Sequence, residues 1–304
     1  MTEMECNRVW RPFVGGKLLD TFCGISPGED GHYPERWICS TTRTADGKGV
    51  SRSVDGRMLT QIYPQGVDVL VKLLDSHSRL MIQVHPDDRR AQKYFSSPVG
   101  KTECWYVLDT RVIDGQQPYV YLGFRPGITR QHWQELYRRQ DVAGMEQCLH
   151  KIPVKPGDAF FIPGGMVHAM GTGVFFAEIQ QPTDITLRTE RCSPDGRVVD
   201  DAAIHGGAGE QALFDCFDYG GCTREEILRR CKISVSGEEI VRGPLFWMKD
   251  MQVEKSVHLA VEDYAIVLVL EGENKGKEYF LTRDADFTGP CRLLVCGGGE
   301  GEKV

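Results

Sequence analysis

Eight short segments rich in β-branched and aromatic residues follow one another between residues 67 and 190: VDVLVKLL (67–74), LMIQV (80–84), CWYVLD (104–109), YVYLGF (119–124), KIPVK (151–155), AFFIP (159–163), VFFAEIQQ (174–181) and ITLRTE (185–190). Turn residues bound most of them, as in KPGD and PGG, so the pattern predicts an all-β architecture. The period changes between residues 129 and 150, where Trp133, Leu136 and Tyr137, then Met145, Cys148 and Leu149, fall at helical spacing and predict a helical insertion. The glycine-rich stretch HGGAGEQALFDCFDYGGC (205–222) reads as a connection. Thr223 and Glu226 stand at capping-box spacing and open a short helix. A second run of strands, LFWMKDMQV (245–253), YAIVLVLEG (264–272) and CRLLVCG (291–297), predicts a small or degenerate second, cupin-like β-domain over 223–304 behind a main domain over 1–222, with a frayed tail at 298–304.

Composition narrows the function classes. A chain of 304 residues with 41% hydrophobic and 26% charged residues buries a sizeable core, and its net charge of −7 argues against non-specific binding to nucleic acid or anionic membrane. The N-terminus MTEMECNRVW lacks an apolar signal region, and no apolar run approaches the ~20 residues of a membrane span. The eleven cysteines form no C-x-x-C pair and read as free thiols, which suits a cytoplasmic protein. A small-molecule site is the expectation, and the oligomeric state is left open.

In MIQVHPDD, Gln83 and His85 alternate with Ile82 and Val84, so an extended strand sends both polar side chains to one face. Asp87 or Asp88 can cap a helix beginning in RRAQKYF. Further on, GKTECWYVL puts Lys101, Glu103 and Trp105 on one strand face, and GDAFFIPGGMVHAM (157–170) reads as turn, strand, turn and then His168. In the last two strands Glu178 shares a face with Phe176 and Gln180, and Asp184 shares one with Arg188.

The stretch ending at His168 resembles the second motif of the cupin superfamily, which are double-stranded β-helix (jelly-roll) barrels. Gln83 and His85 followed by Pro-Asp-Asp, then GKTECWYVL, KIPVKPGDAFFIPGGMVHAM and EIQQPTDITLR, closely resemble the type I phosphomannose isomerases, the zinc-dependent mannose-6-phosphate isomerases. The resemblance covers residues 65–190 best. It implies one Zn²⁺ held by Gln83, His85, Glu103 and His168, an N/O donor set suited to that ion. It also implies a sugar-phosphate pocket lined by Lys101, Trp105, Asp184 and Arg188, with Lys101, Glu178 and Arg188 as catalytic groups and the reversible isomerisation of mannose 6-phosphate to fructose 6-phosphate as the reaction. For the general base three candidates stand: Glu178, Lys101 and a water at His168. A non-catalytic sugar-phosphate binder and an isomerase of another sugar phosphate are the rival readings. Two departures fall beside the implied substrate: Met81 where the family commonly has serine, and RTERCSPDGR after position 187 where it continues with a tyrosine-like residue and an aspartate.

Overall fold

A computed structural model describes residues 1–299. The chain first lays down β1 (Thr2–Met4), β2 (Arg8–Val9), α1 (Lys17–Phe22), β3 (Glu35–Ile38), α2 (Leu59–Ile62) and β4 (Leu70–Asp75). The middle adds β5 (Gln83–Val84), α3 (Asp88–Phe95), β6 (Glu103–Thr110), β7 (Tyr119–Phe124), α4 (Arg130–Arg139), α5 (Val142–Gln147), β8 (Leu149–Pro153), β9 (Ala159–Ile162), β10 (His168–Met170), β11 (Val174–Gln180) and β12 (Leu187–Arg188). After α6 (Asp201–His205), α7 (Gly209–Asp215) and α8 (Arg224–Cys231) come β13 (Lys232–Ile233), β14 (Glu239–Arg242), β15 (Phe246–Val253), β16 (Ser256–Leu259), β17 (Ala265–Glu271), β18 (Glu278–Leu281), β19 (Ala285–Thr288) and β20 (Cys291–Gly298).

Two antiparallel sheets face each other to make the jelly roll. One runs β12-β5-β10-β7-β8, the other β13-β9-β6-β11-β4-β3-β2. Alternation along the strands fills the space between them: Trp105 and Val107 of β6, Phe160 and Ile162 of β9 and Phe176 of β11 meet Val120 and Leu122 of β7 and Met170 of β10. The outer faces are covered as well. Trp133, Leu136 and Tyr137 of α4, Met145 of α5, Ile204 of α6 and Leu213 and Phe214 of α7 pack on Tyr121 and Ala169 behind the first sheet. Behind the second sheet, Cys104, Ala177 and Ile179 join Phe246, Met248, Ile266, Leu268 and Phe280 of a third sheet, ordered β1-β18-β17-β20-β15-β14. Burial on both faces explains why VFFAEIQ reads as an almost continuous apolar run instead of a clean alternation. The third sheet in turn packs on the small two-stranded β16-β19 sheet. Two strands cross the 222/223 line: β1 pairs with β18, and β13 pairs with β9.

The structure corrects three local expectations. The stretch 205–222 contains a helix, α7, because Leu213 and Phe214 gain burial against the barrel that outweighs the glycines around them. The strands expected over 80–84 and 185–190 shrink to two residues each; beyond them the backbone bonds irregularly, Thr189 N donating to Ile82 O and Ile82 N to the Glu190 carboxylate. Fraying at 298 gives way to strand pairing, since Gly298 lies opposite Phe246, while 300–304 fall outside the described residues. The capping box at Thr223 and Glu226 forms as read, and Asp87 caps α3 by accepting from Arg90 N. No helix among the described residues is long and apolar enough to cross a membrane.

One buried ion pair fastens the third sheet to the barrel. Arg36 Nε and Nη2 of β3 donate to Glu278 Oε2 of β18 at 3.0 and 2.8 Å, both side chains being nearly inaccessible, and Cys39 N donates to Oε1 at 3.3 Å. Glu278→Ala leaves the Arg36 guanidinium buried and uncompensated, so urea denaturation should show a loss of about 3–5 kcal/mol. A loss below about 1 kcal/mol would mean that water reaches Arg36 and that the pair does not tie the layers together.

Candidate metal centre and active-site cleft

Register sets the first half of the site. In the row β10-β5-β12, His168 lies opposite Gln83 and Gln83 lies opposite Arg188. Directly opposed residues share a sheet face, so all three side chains belong to the barrel's interior. The other sheet supplies a second row, Trp37-Lys72-Glu178-Trp105-Phe160, and beside it Gln180-Glu103-Ile162.

Turns bring the remaining groups in. Gly165 adopts φ +94°, and its N–H donates to His85 O at 2.8 Å. A Cβ on Gly164 would stand 2.7 Å from the Asp87 backbone, so the PGG turn and the HPDD turn need glycine to approach this closely. Lys101 N donates to Pro86 O at 3.0 Å, and Asp88 Oδ1 accepts from Gly100 N and from Gln181 Nε2, each at 2.8 Å. Gln181 Oε1 accepts from Thr102 N at 2.9 Å, so the first aspartate of HPDD caps α3 while the second orients the Lys101–Glu103 segment.

His85, Glu103 and His168 converge as a fully buried cluster whose donor atoms all lie within 4.8 Å of one another. Each imidazole is held through Nδ1 by a backbone carbonyl, His85 to Ile185 O at 2.9 Å and His168 to Met166 O at 2.8 Å. With Nδ1 carrying the proton, both Nε2 atoms present lone pairs, and these face each other at 3.2 Å. The Glu103 oxygens lie 3.4 Å from each Nε2, and Oε1 has no hydrogen-bond partner among the described residues. Two neutral imidazoles and a carboxylate aimed at one point make a donor set that fits Zn²⁺. Gln83 places its amide 3.2 Å from His168 Nε2, and rotation of the amide brings its oxygen to the same position. The electrostatics agree: burial, then Lys101, push His85 down to about 3, and burial lowers His168, so both rings stay neutral. Burial alone would raise Glu103, but the Lys101 cation beside it holds it well below the usual carboxylate range. Lys101 donates to Glu103 and lies 2.9 Å from His85 Nε2.

The cluster sits just behind a cleft, and Gln83, Lys101 and Trp105 belong to the walls of both. Trp105 meets the His168 ring edge-on at 5.5 Å. Glu178, Asp184 and Arg188 also line the cleft, as does Met81. Glu178 Oε1 lies 3.6 Å from both Lys72 and Lys101, without a hydrogen bond among the described residues, and burial, then Glu103, raise its pKa. Arg188 donates to Ala203 O at 2.8 Å and to Thr186 O at 3.3 Å. No carboxylate among the described residues pairs with its guanidinium, whose pKa burial lowers. Asp184 is instead engaged by Arg11, at 3.0 and 3.1 Å, and by Lys72 at 3.7 Å.

Arg11, Glu35 and Lys72 complete the cleft and were not singled out from sequence. Arg11 Nε lies 2.8 Å from Glu35 Oε2, Trp37 Nε1 donates to the same oxygen at 2.7 Å, and Arg11 and Lys72 lie over the Trp37 ring. One signal was present: a lone lysine within the apolar run VDVLVKLL. The departure after position 187 is also accounted for. Glu190 accepts from Arg79 at 2.7 Å and from Ile82 N at 2.6 Å, docking the Arg188 strand against the strand of Gln83.

No family profile matches the chain. It is 31% identical over 245 residues to the mannose-6-phosphate isomerase of Streptococcus mutans, covering 77% of this chain and 70% of that one. It is 32% identical over 205 residues to "Probable mannose-6-phosphate isomerase GmuF" of Bacillus subtilis, covering 63% of this chain and only 61% of that relative's length. The crystal structure of the mannose 6-phosphate isomerase from Bacillus subtilis superposes with a TM-score of 0.72 at 21% identity, over 97% of this chain and 99% of the other, which establishes the shared fold.

Two outcomes are expected at the cluster. Reconstituted protein should hold about one Zn²⁺ per chain by elemental analysis, with His85→Ala and His168→Ala each losing it; retention in either variant would contradict the ligand set. In the metal-free chain the His85 ring is neutral down to about 3 when folded, whereas an unfolded histidine binds a proton near 6.5. The unfolded state therefore binds more protons in that window. The stability due to His85 is complete above ~6.5 and is lost as pH falls toward the folded value, and Glu103 adds an acid loss of the same sign. Denaturation of chelated protein from about pH 7 to about pH 4 should show this decline, and His85→Gln should flatten it.

Proposed function

The chain belongs to the mannose-6-phosphate isomerase family, and we propose that it interconverts mannose 6-phosphate and fructose 6-phosphate with Gln83, His85, Glu103 and His168 holding one Zn²⁺. One arrangement carries this reading: the buried His85, Glu103 and His168 cluster adjoins a cleft walled by a buried carboxylate, Glu178, and by Arg188, a guanidinium without a carboxylate partner among the described residues. Eleven free thiols support a cytoplasmic setting.

Aldose-to-ketose conversion moves the C2 proton to C1 while a hydroxyl proton passes from O2 to O1, through an enediolate whose negative charge sits on oxygen. Glu178 is the base. Burial raises its basicity, while Lys72 and Lys101, each 3.6 Å away, favour the ionised form that accepts the proton. Lys101 donates toward the charge that develops on oxygen, and Trp105 and Met81 give the sugar's carbon face an apolar wall that limits water. Zn²⁺, when bound, supplies Lewis-acid polarisation of oxygen and a fixed point for the substrate. Arg188 aims a permanent, planar charge at the enediolate. Arg11 and Asp184, locked to each other, hold the far wall in place.

A coupled assay for ketose formation over a panel of aldose phosphates tests the activity, and equal turnover of mannose and mannose 6-phosphate would refute a phosphate-dependent site. Chelation should abolish activity and leave the fold intact, because a core of this size does not depend on its metal. Arg188→Ala should lower kcat by about 10²–10³-fold with zinc content unchanged. A rise confined to KM would instead assign Arg188 to uniform binding of the phosphate.

A further inference from the structure

Away from the cleft, two cysteines that this reading does not use stand together. Cys6 follows β1 and is exposed, and Cys23 is the C-terminal cap of α1 and is half-buried. Their sulfurs are 3.9 Å apart, and among the described residues no other cysteine pair comes within hydrogen-bonding distance. A disulfide requires about 2.05 Å, so the two sulfurs must close by a little under 2 Å to bond. Arg36 Nη1 lies 3.6 Å from Cys23 Sγ, and its remaining nitrogens are anchored by Glu278 and by Gly276 O, so the cation is fixed where a thiolate would form. The hydrogen bond from Cys6, then Arg36, pull the Cys23 thiol down to about 6 against the effect of burial, while the same hydrogen bond and burial push Cys6 up.

The position of the pair gives its closure a consequence. Seventeen positions separate the two cysteines, and the segment between them carries Arg11, Pro12 and Phe13 into the cleft wall. Its C-terminal part is tied to β4 by hydrogen bonds from Gly16 N and Leu18 N to Asp75 at 3.1 and 2.7 Å and is anchored in the core by Leu19 and Phe22. We propose that Cys6 and Cys23 form a peroxide-oxidisable dithiol whose disulfide staples the loop bearing the Arg11–Phe13 wall.

The chemistry balances with hydrogen peroxide as the oxidant. The Cys23 thiolate attacks one peroxide oxygen, the O–O bond breaks, and the sulfur becomes a sulfenic acid while the departing oxygen takes a proton and leaves as water. Cys6 then attacks Cys23 Sγ; the S–S bond forms, and the sulfenic hydroxyl leaves as a second water with the Cys6 proton. Two thiols lose two electrons in all, and one peroxide gains them.

The test uses the full-length reduced protein treated with equimolar hydrogen peroxide and digested without reductant. Mass spectrometry should find the Cys6 and Cys23 peptides joined, and the melting temperature should rise by several degrees and fall back on addition of a thiol reductant. Cys6→Ser should show neither change, and dimedone should then trap a sulfenic acid at Cys23. Preferential oxidation of exposed Cys192, or a Cys23 sulfinic acid without the cross-link, would overturn the proposal. So would a cross-link that leaves the melting temperature unchanged, or a rise that persists in Cys6→Ser. None of these readouts depends on isomerase activity, so the inference and the functional reading fail separately.

Discussion

Holding ionised groups inside a dry barrel is costly, and the architecture follows from how that cost is offset. Four cations, Arg11, Lys72, Lys101 and Arg188, share the site with four carboxylates, Glu35, Glu103, Glu178 and Asp184. Sheet register interleaves them: Lys72 stands opposite Glu178 on one side and Trp37 on the other. Each carboxylate thus has a cation nearby. The low dielectric comes from layers that never touch the cleft. The helical layer covers one sheet and the C-terminal sheet covers the other, and without them water would reach the strands from behind. The buried pair Arg36–Glu278 therefore bears on the site's electrostatics although it lies outside the cleft.

How much of this the sequence disclosed depended on whether a feature is local. The family resemblance implied Gln83, His85, Glu103 and His168 as one set, and the turns at Pro163-Gly164-Gly165 and Pro86-Asp87-Asp88, which encode their own geometry, help bring His85, Glu103 and His168 together. Strand parity put Lys101, Glu103 and Trp105 on one face, and they share it. Arg11 and Glu35 were illegible because their role arises from pairings across the sheet, β3 with β4 and the Arg11 side chain with an aspartate 173 positions away. Lys72 was half-legible. A charge inside an apolar run is either a mistake in the strand assignment or a buried functional group, and only the register on Glu178 decides between them. Helix α7 was missed for a different reason: its glycine-rich flanks signal a loop, whereas Leu213 and Phe214 form a helix only because the barrel offers them a surface.

The residues after Arg188, which depart from the family pattern, are taken up in a buried network. Thr189 and Glu190 take up the backbone of Ile82, and Arg79 closes the arrangement by pairing with both Glu190 and Glu146 of α5. Since Ile82 precedes Gln83, this buried network fixes the spacing between Gln83 and Arg188, so the altered segment serves the orientation of the unaltered residues. Met81 acts differently. It lines the cleft itself, exchanging a hydroxyl for an apolar surface, and so bears on which sugar the wall accommodates rather than on the ligands behind it.

Charge balance connects the metal centre to the class of substrate. The four cations and four carboxylates of the site balance one another, and a divalent ion would add two positive charges in a region that water screens poorly. A neutral sugar entering that field would bring hydroxyl dipoles and leave the excess in place. A phosphate monoester brings between about 1.5 and 2 negative charges at neutral pH and restores the balance. Arg188, the lining cation with no carboxylate partner among the described residues, can reorient toward such an anion without breaking an ion pair. Arg11, Lys72 and Lys101 would each have to give up a carboxylate contact to do so. The same accounting bears on the enediolate, whose extra charge forms only during reaction: a cation with its pairing capacity free responds to it at least cost, which sets Arg188 apart from the paired cations around it.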